Sequence, residues 1–392
     1  MKFKLLINKY KSIGFVTFSL LLGAIITFIA LPFLTRLYSV HDFGQYGVAL
    51  AIVSVLSTVA NLRLDQAQLV ASNSDQKKLI FEAFIFSLIL CLIIGFLLNF
   101  FLTLRMVLAI CFGVFLNSLF QSFYNYNFSC EMEKFCAILN ILRSFIVVIV
   151  QLTLPLFLSV NLIESYTVSS ILMIILILVY ILYNKIYTIS FNTYKNYKDF
   201  IYSNTPHALL NSFSHNLPYY AVSSFLGYNI TGYYSIVERT LRLPINLMSQ
   251  TIRQFYIRQF HTKNDVNEAL KSTILLSIVS FPFFCIFFIL PEKFYIFIFG
   301  NEWLGISKYF KILTLGYWAI FFNPPISGYL IANRKSSILL KLQFYELLIK
   351  ISLFFIGFIL FENKDYILYI IPLSLIFYNL SILLAVIRMK KC

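Results

Sequence analysis

The sequence predicts an all-α polytopic membrane protein with about twelve transmembrane helices. Three observations predict it. Hydrophobic residues make up 60% of the chain and charged residues 12%. The mean hydropathy is +0.82, far outside the range of soluble globular domains. Apolar runs of about 20 residues recur from end to end, and each can cross a hydrocarbon core of about 30 Å as a helix. A transmembrane barrel would instead show alternating segments of about 10 residues.

Long apolar runs, broken by charge, Pro, Gly and Asn, place helices near residues 12–35, 44–63, 79–101, 105–127, 136–158 and 164–184. A second set falls near 206–227, 231–252, 268–290, 305–331, 337–361 and 365–388. The run from Ser12 to Leu34 exceeds the core of a signal peptide and lacks a small-residue cleavage site after it. It is expected to remain as a membrane helix. The seventh and eighth segments are rich in Ser, Asn and Tyr.

Basic residues set the expected orientation. Both termini and the loops after the even-numbered helices hold 21 of the 31 Lys and Arg residues, and the opposite loops hold 6. Both termini are therefore expected on the cytoplasmic side. The net charge of +15 follows from this bias and calls for no nucleic-acid partner. The longest loop is "NKIYTISFNTYKNYKDFIYSNT", which mixes Lys with aromatic residues and reads as an amphipathic cytoplasmic linker. Three parts follow: an N-terminal six-helix bundle at 1–184, a linker at 185–205 and a C-terminal six-helix bundle at 206–392.

The halves resemble each other. "SVHDFGQYG" with Gly44 and Tyr46 follows helix one, and "LGYNITGYY" with Gly232 and Tyr234 follows helix seven, 188 residues later. Six helices per half give both halves one orientation. That is a parallel repeat, with a site expected between the halves.

Cysteines at 91, 111, 130, 136, 285 and 392 form no CxxC pair, so neither a disulfide framework nor a metal site is expected. His41, His207, His215 and His261 have no metal-ligand spacing. "SFSH" at 212–215 reads as a polar helix wall, because no base and acid accompany it.

Charged residues inside the spans are the candidate functional residues, since an intramembrane charge persists only when paired or facing water. Arg143 lies about two turns into helix five. Glu238, Arg239 and Arg242 lie in helix eight, with Arg242 roughly 15 Å deep. Glu238 and Arg242 can pair at a spacing of four, as can Glu346 and Lys350 in helix eleven. Arg36 ends helix one, and Arg63 and Asp65 end helix two. These two, with Arg36, also suit snorkelling to the interface. Arg143, Arg239, Arg242 and Lys350 outnumber Glu238 and Glu346 by two, which favours a water-filled cavity for an anion. Arg suits bidentate phosphate recognition. Pro244 removes a helix hydrogen bond below Arg242 and is a candidate hinge.

Two stretches carry a family resemblance. "LPFLTRLYSVHDFGQYGVALAIVSVLSTVANLRLDQAQLVA" and "GYYSIVERTLRLPINLMSQTIRQFYIRQ" resemble bacterial polysaccharide-biosynthesis flippases. These are the O-antigen and capsule repeat-unit translocases of the multidrug/oligosaccharidyl-lipid/polysaccharide exporter superfamily. The matching residues are the Leu-Thr-Arg-Leu-Tyr end of helix one, Phe43, Gly44 and Tyr46, then Arg63, Asp65 and Ala67. In the second stretch they are Glu238, Arg239, Pro244 and Gln250. Val40 stands where the family often has Pro, and Asp65 where it often has Glu.

The resemblance implies two bundles forming a V around a central cationic cavity. It implies a transporter rather than an enzyme, moving undecaprenyl-diphosphate-linked oligosaccharide to the outer leaflet of the bacterial inner membrane. Arg239, Arg242, Arg143, Lys350, Arg36 and Arg63 would bind substrate. Glu238, Glu346 and Asp65 would pair charges or couple an ion. Partners would be the lipid bilayer, the lipid-linked saccharide, and the polymerase and chain-length proteins of the same pathway. No cofactor is expected. The chain has no GxxxxGK[ST] loop, so H+ or Na+ gradients are the expected energy source. Two alternatives stay open: a polysaccharide polymerase, which needs a larger outer loop than residues 291–304, and a drug/cation antiporter, which favours interior acids over Arg.

Overall fold

A computed structural model describes residues 2–262, 265–333, 335–360 and 364–391. Lys263 and Arg334, counted above among the basic loop residues, lie outside them. So do the side chains of Lys2, Lys4, Lys9, Lys11, Gln250, Arg258, His261, Lys364, Lys390 and Lys391, and all of Cys392.

The described residues form helices and contain no strand. The first six spans are α1 (Lys2–Leu37), α2 (Val40–Ala60), α4 (Asn73–Leu98), α5 (Leu104–Ser129), α6 (Glu133–Phe157) and α7 (Leu162–Tyr183). A single short turn, α3 (Leu64–Ala67), joins α2 to α4. Then come α8 (Thr205–Thr262), α9 (Val266–Ile289), α10 (Glu292–Phe299), α11 (Ile306–Phe321), α12 (Pro324–Ala332), α13 (Ser336–Leu360) and α14 (Ile367–Lys391). Among the described residues, nine helices are long and apolar enough to cross a membrane. α8 covers the seventh and eighth expected segments, and α11 with α12 covers the tenth, so all twelve expected segments fall in helices.

The boundaries shift for local reasons. Phe43, Gly44 and Tyr46 lie in the first part of α2, whose expected start is near residue 44. Ser39 accepts the Asp42 N–H at 3.2 Å, and Asp42 accepts the Ser39 N–H at 3.1 Å. This reciprocal cap starts the helix four residues early. Segments seven and eight run on as one element, broken only at Gly227 with φ 82° and ψ 174°, angles open to glycine. The backbone stays helical through Pro244. Part of the expected outer loop at 291–304 is helix α10 and a turn, which bury Tyr295 and Trp303. Tyr295 stacks on Phe310 of α11 at 4.6 Å.

The chain divides into two compact units, Met1–Leu217 and Pro218–Cys392. In the first, α4 packs on α5, α5 on α7, and α6 on α7. In the second, α9 packs on α11, α11 on α14, and α13 on α14. With segments numbered within each half, both units pair the third with the fourth, the fourth with the sixth and the fifth with the sixth. The core of the first unit is an aliphatic and aromatic cluster around Leu119, Phe123, Met173 and Ile177. The second unit's core centres on Phe260, Ile326, Leu330 and Ile382. α11 meets α14 so closely that a methyl on Gly316 would lie 2.5 Å from the Pro372 Cα.

The segment after α7 is tied down. Glu82 of α4 is 3% exposed. Its two carboxylate oxygens accept the backbone N–H groups of Thr193 and Tyr194, each at 2.7 Å. Tyr194, Tyr197, Phe200 and Ile201 pack on Leu64, Ala67, Leu79 and Ala83. The expected surface linker is thus held against α3 and α4 by a buried anion and an apolar cluster. Replacing Glu82 with Ala strands both amide donors, at about 1.5–3 kcal/mol for each bond to a charged group. Glu82→Ala is expected to speed hydrogen exchange at Thr193 and Tyr194 by at least 10-fold with little change in α5. Unchanged protection at those amides would show that the apolar cluster alone holds the strap.

Candidate functional site

The first unit contains a cavity of ≈ 830 Å3. Its walls are polar stripes cut into apolar helices. α1 contributes Ser19, Gly23 and Thr27, and α2 contributes Ser54, Ser57, Thr58 and, just beyond it, Asn61. α5 contributes Asn117, Gln121 and Asn125, and α6 contributes Asn140, Arg143 and Ser144. Each set follows the spacing of three or four residues that keeps side chains on one helix face. The polar atoms also engage one another across helices. Asn140 donates to the Ser19 hydroxyl at 3.4 Å, and Asn216 of α8 donates to the Ser54 hydroxyl at 3.2 Å.

Arg143 lies ten residues into α6, roughly 15 Å along its axis. Its guanidinium donates to the Asn117 side-chain oxygen and sits 4.6 Å above the Phe120 ring. Among the described residues it has no carboxylate within ion-pair distance. A guanidinium held by a neutral amide and an aromatic face keeps its full charge for a ligand. Arg63 and Asp65, at the α2–α3 junction, line the same cavity. Burial pushes the Asp65 carboxyl above the usual carboxylate range, and the Arg63 charge opposes that shift. The neutral acid therefore suits the folded surroundings. Its contribution to stability is present at acid pH and is lost as pH rises through the raised value.

The other expected residues lie elsewhere. Arg36 is exposed at the end of α1. Glu238 and Arg242 belong to the second unit and pair at 2.5 Å. The Tyr219 hydroxyl donates to Glu238 at 3.1 Å, and the Arg242 guanidinium lies 5.8 Å from the Tyr317 ring centre. Tyr234 packs edge-on to Tyr219 at 4.9 Å. Glu238 and Arg242 are therefore a charge pair caged by tyrosines. Arg239 is half-buried on the same helix. Glu346 and Lys350 form a second ion pair within α13, 5% and 3% exposed. The expected residues thus separate into two paired sets in the second unit and one cavity set, Arg63, Asp65 and Arg143, in the first, with Arg36 and Arg239 outside these groups. Sequence reading missed the neutral members of the cavity. The signal that finds them is the run Asn117, Gln121 and Asn125 at intervals of four within an apolar segment.

Tyr46, singled out by resemblance, has a local explanation. It is buried in α2, its hydroxyl accepts from the Gln151 amide at 3.1 Å, and its ring meets Tyr166 edge-on at 5.4 Å. It docks α2 onto α6 and α7. Among the described residues no cluster of His, Cys, Asp and Glu could hold a metal ion.

The nine candidate membrane spans among the described residues define a multi-pass, all-helical membrane protein. A family profile described as "Polysaccharide biosynthesis protein" matches residues 33–308. The chain belongs to that polysaccharide biosynthesis protein family. Solved structures share its fold. One is an inward-facing multidrug-resistance transporter of the MATE family and MOP superfamily: TM-score 0.68, 11% identity, 96% of each chain covered. Another is a MOP-superfamily transporter from Pyrococcus furiosus, described as having a binding pocket of reversed polarity. It gives TM-score 0.62 at 12% identity, covering 97% of this chain and 95% of that one. A third is an outward-facing multidrug-resistance transporter of the MATE family, with TM-score 0.60, 13% identity, and 97% and 95% coverage. No curated protein sequence matches the chain.

Proposed function

We propose that this protein flips lipid-linked oligosaccharide repeat units across the bacterial cytoplasmic membrane by alternating access. The observation that carries this reading is Arg143: a membrane-depth guanidinium with no carboxylate partner among the described residues, in a cavity whose mixed wall carries amides and hydroxyls beside aliphatic side chains. Amides and hydroxyls both donate and accept, which suits a hydroxyl-rich saccharide. Arg143 supplies the charge for a diphosphate or an acidic sugar. The polyprenyl tail needs no protein pocket, because lipid already solvates it. Membership in a polysaccharide biosynthesis family supports the same cargo class. The cytoplasmic placement of both termini rests on the Lys and Arg bias in the loops. An ion gradient, H+ or Na+, would supply the energy, and the polymerase and chain-length proteins of the pathway would receive the product.

The alternative cargo, an organic cation exchanged as in drug antiporters, is disfavoured by the cavity's charge. Its Arg, Lys, Asp and Glu side chains are two Arg and one Asp, which repel a cation on balance.

The deciding experiment is reconstitution. Purified protein in liposomes receives a fluorescent polyprenyl-diphosphate oligosaccharide loaded in both leaflets, and a membrane-impermeant glycosidase reports accessibility. Flippase activity predicts cleavage proceeding past the outer-leaflet half, with an imposed ion gradient altering the rate. Cleavage that stops at half under every gradient, with correctly inserted protein, would end the flippase reading.

A further inference from the structure

The junction between α2 and α3 places two successive non-glycine residues in the left-handed region, Leu62 at φ 52° and Arg63 at φ 60°. Such residues are strained and persist where the surroundings over-determine them. Asn61 provides part of that hold, since its side-chain oxygen accepts the Arg63 N–H at 3.1 Å. From α5, the Asn125 amide donates to the Asp65 carbonyl at 2.8 Å. The turn fixes Arg63 and Asp65 at the cavity wall.

What it fixes is incompletely satisfied. Asp65 is 2% exposed, yet its Oδ1 has no hydrogen-bond partner among the described residues. The Arg63 Nε is buried and has none either. No ion pair joins the two, although they stand two residues apart. Both side-chain atoms of Gln68 and the Oε1 of Gln76 are also buried without partners among the described residues. Gln76 donates instead to the Gln68 and Ala71 carbonyls. Native interiors leave few such atoms, and two of these, on Arg63 and Asp65, belong to residues that line the cavity, which asks for a ligand there.

We propose that Asp65 is a reversible proton site whose occupancy sets how strongly Arg63 draws an anion into the cavity. A proton from water adds to a carboxylate oxygen of Asp65, and no other bond forms or breaks. With Asp65 ionised, its charge offsets that of Arg63. With Asp65 protonated, the pair carries a net positive charge, and the guanidinium is free to meet an anionic group. Binding is reciprocal: the anion must raise the proton affinity by the same factor that the proton raises the anion affinity.

The neighbours of Asp65 favour a proton over a metal ion. Asn61 faces it from α2, and Asn125 holds its backbone from α5. α4 packs on α3, and both oxygens of its buried Glu82 are taken by Thr193 and Tyr194. From the strap, Tyr194 and Tyr197 pack on Leu64 and Ala67 of α3. Arg63 is the charge whose field reaches the carboxyl. A guanidinium beside the acid repels a second cation but tolerates neutralisation of the acid. Burial, which pushes the Asp65 carboxyl above the usual range, favours the protonated form for the same reason. The cargo need not be a saccharide, so this site is separable from the flippase reading.

The test uses full-length protein in lipid nanodiscs. Infrared spectra across pH follow the protonated-carboxyl band, and radiolabelled sulfate, whose charge is constant between about pH 5 and pH 8, serves as the anion probe. A carboxyl band that titrates above the usual carboxylate range and vanishes in Asp65→Asn is expected. Sulfate affinity should rise at least 5-fold from pH 8 to pH 5 in the unaltered protein. In Asp65→Asn it should be pH-independent at the higher level, and in Arg63→Gln it should be lost. Asp65→Asn mimics the protonated acid in shape, and thermal unfolding checks that both variants fold. A band unaffected by Asp65→Asn overturns the proposal. So does sulfate affinity that ignores pH in the unaltered protein, or that keeps its pH dependence in Asp65→Asn. Failure of the reconstituted flip with these results intact would remove the saccharide cargo and leave the proton–anion site standing.

Discussion

Arg143→Ala is expected to lower transport of a lipid-linked saccharide on the order of 10- to 100-fold at normal protein level. That size corresponds to one lost charge-assisted contact, worth about 1.5–3 kcal/mol. The loss should appear chiefly as weakened cargo binding, because the guanidinium sits in the cavity wall. Removing it also relieves α6 of an uncompensated charge at membrane depth. Arg143→Ala should therefore fold at least as stably as the unaltered protein, a sign opposite to that of most buried substitutions. Arg143→Lys keeps the charge but loses the planar fork and the stacking on Phe120, so it should retain intermediate activity. Reconstituted transport, paired with thermal unfolding in detergent, separates these effects. A destabilised Arg143→Ala with undiminished specific activity would show that Arg143 serves packing with Phe120 and Asn117 rather than cargo.

Glu346→Ala is expected to destabilise the second unit by about 3–5 kcal/mol, since it strands the buried ammonium of Lys350. Each residue is at most 5% exposed, and their side chains meet within one helix face. Replacing both, Glu346→Leu with Lys350→Leu, removes the charge together with its partner and should restore most of the stability. Thermal unfolding of Glu346→Leu alone, Lys350→Leu alone and the double variant gives the coupling directly. A double variant as unstable as the single one would place the damage in packing. If the double variant folds well but transports nothing, the pair belongs to the mechanism rather than to the frame.

The charges were legible because charge in hydrocarbon is conspicuous in any sequence. Their sorting was not. Spacing alone allows Glu238 with Arg242 and Glu346 with Lys350 to pair, and the structure pairs both. Spacing cannot reveal that, among the described residues, no acid reaches Arg143, since that depends on which helices meet α6. The neutral cavity wall was also hidden, for a different reason. A lone Asn in an apolar helix can hydrogen-bond locally and passes as tolerable. Only the alignment of Asn117, Gln121 and Asn125 with Asn140 and Ser144 across two helices makes a surface.

The fold was legible where hydrophobic length decides and less so where capping decides. Twelve segments follow from runs of about 20 apolar residues. The early start of α2 depends on the Ser39–Asp42 cap, which hydrophobic length does not register. α10 was too short to register as a helix. The strap at 193–201 looked amphipathic, but its anchor, Glu82, lies over a hundred residues away in sequence.

α8 has a consequence for how the protein is made. Among the described residues it is not one of the nine helices that qualify for spanning on their own hydrophobicity. It carries Glu238, Arg239 and Arg242, each of which opposes entry into lipid by about 2.5–3.5 kcal/mol at a helix centre on insertion scales. Biogenesis must therefore couple this element to its neighbours. The stretch before Gly227 has polar partners on α2, already synthesised when it appears, through Ser54 with Ser212 and Asn216. The stretch after Gly227 cannot bury its tyrosine-caged charge pair until α11 brings Tyr317. The second unit thus waits on its own later helices, and α8 is the segment whose insertion the completed chain, rather than the translocon's sorting of single helices, makes permanent.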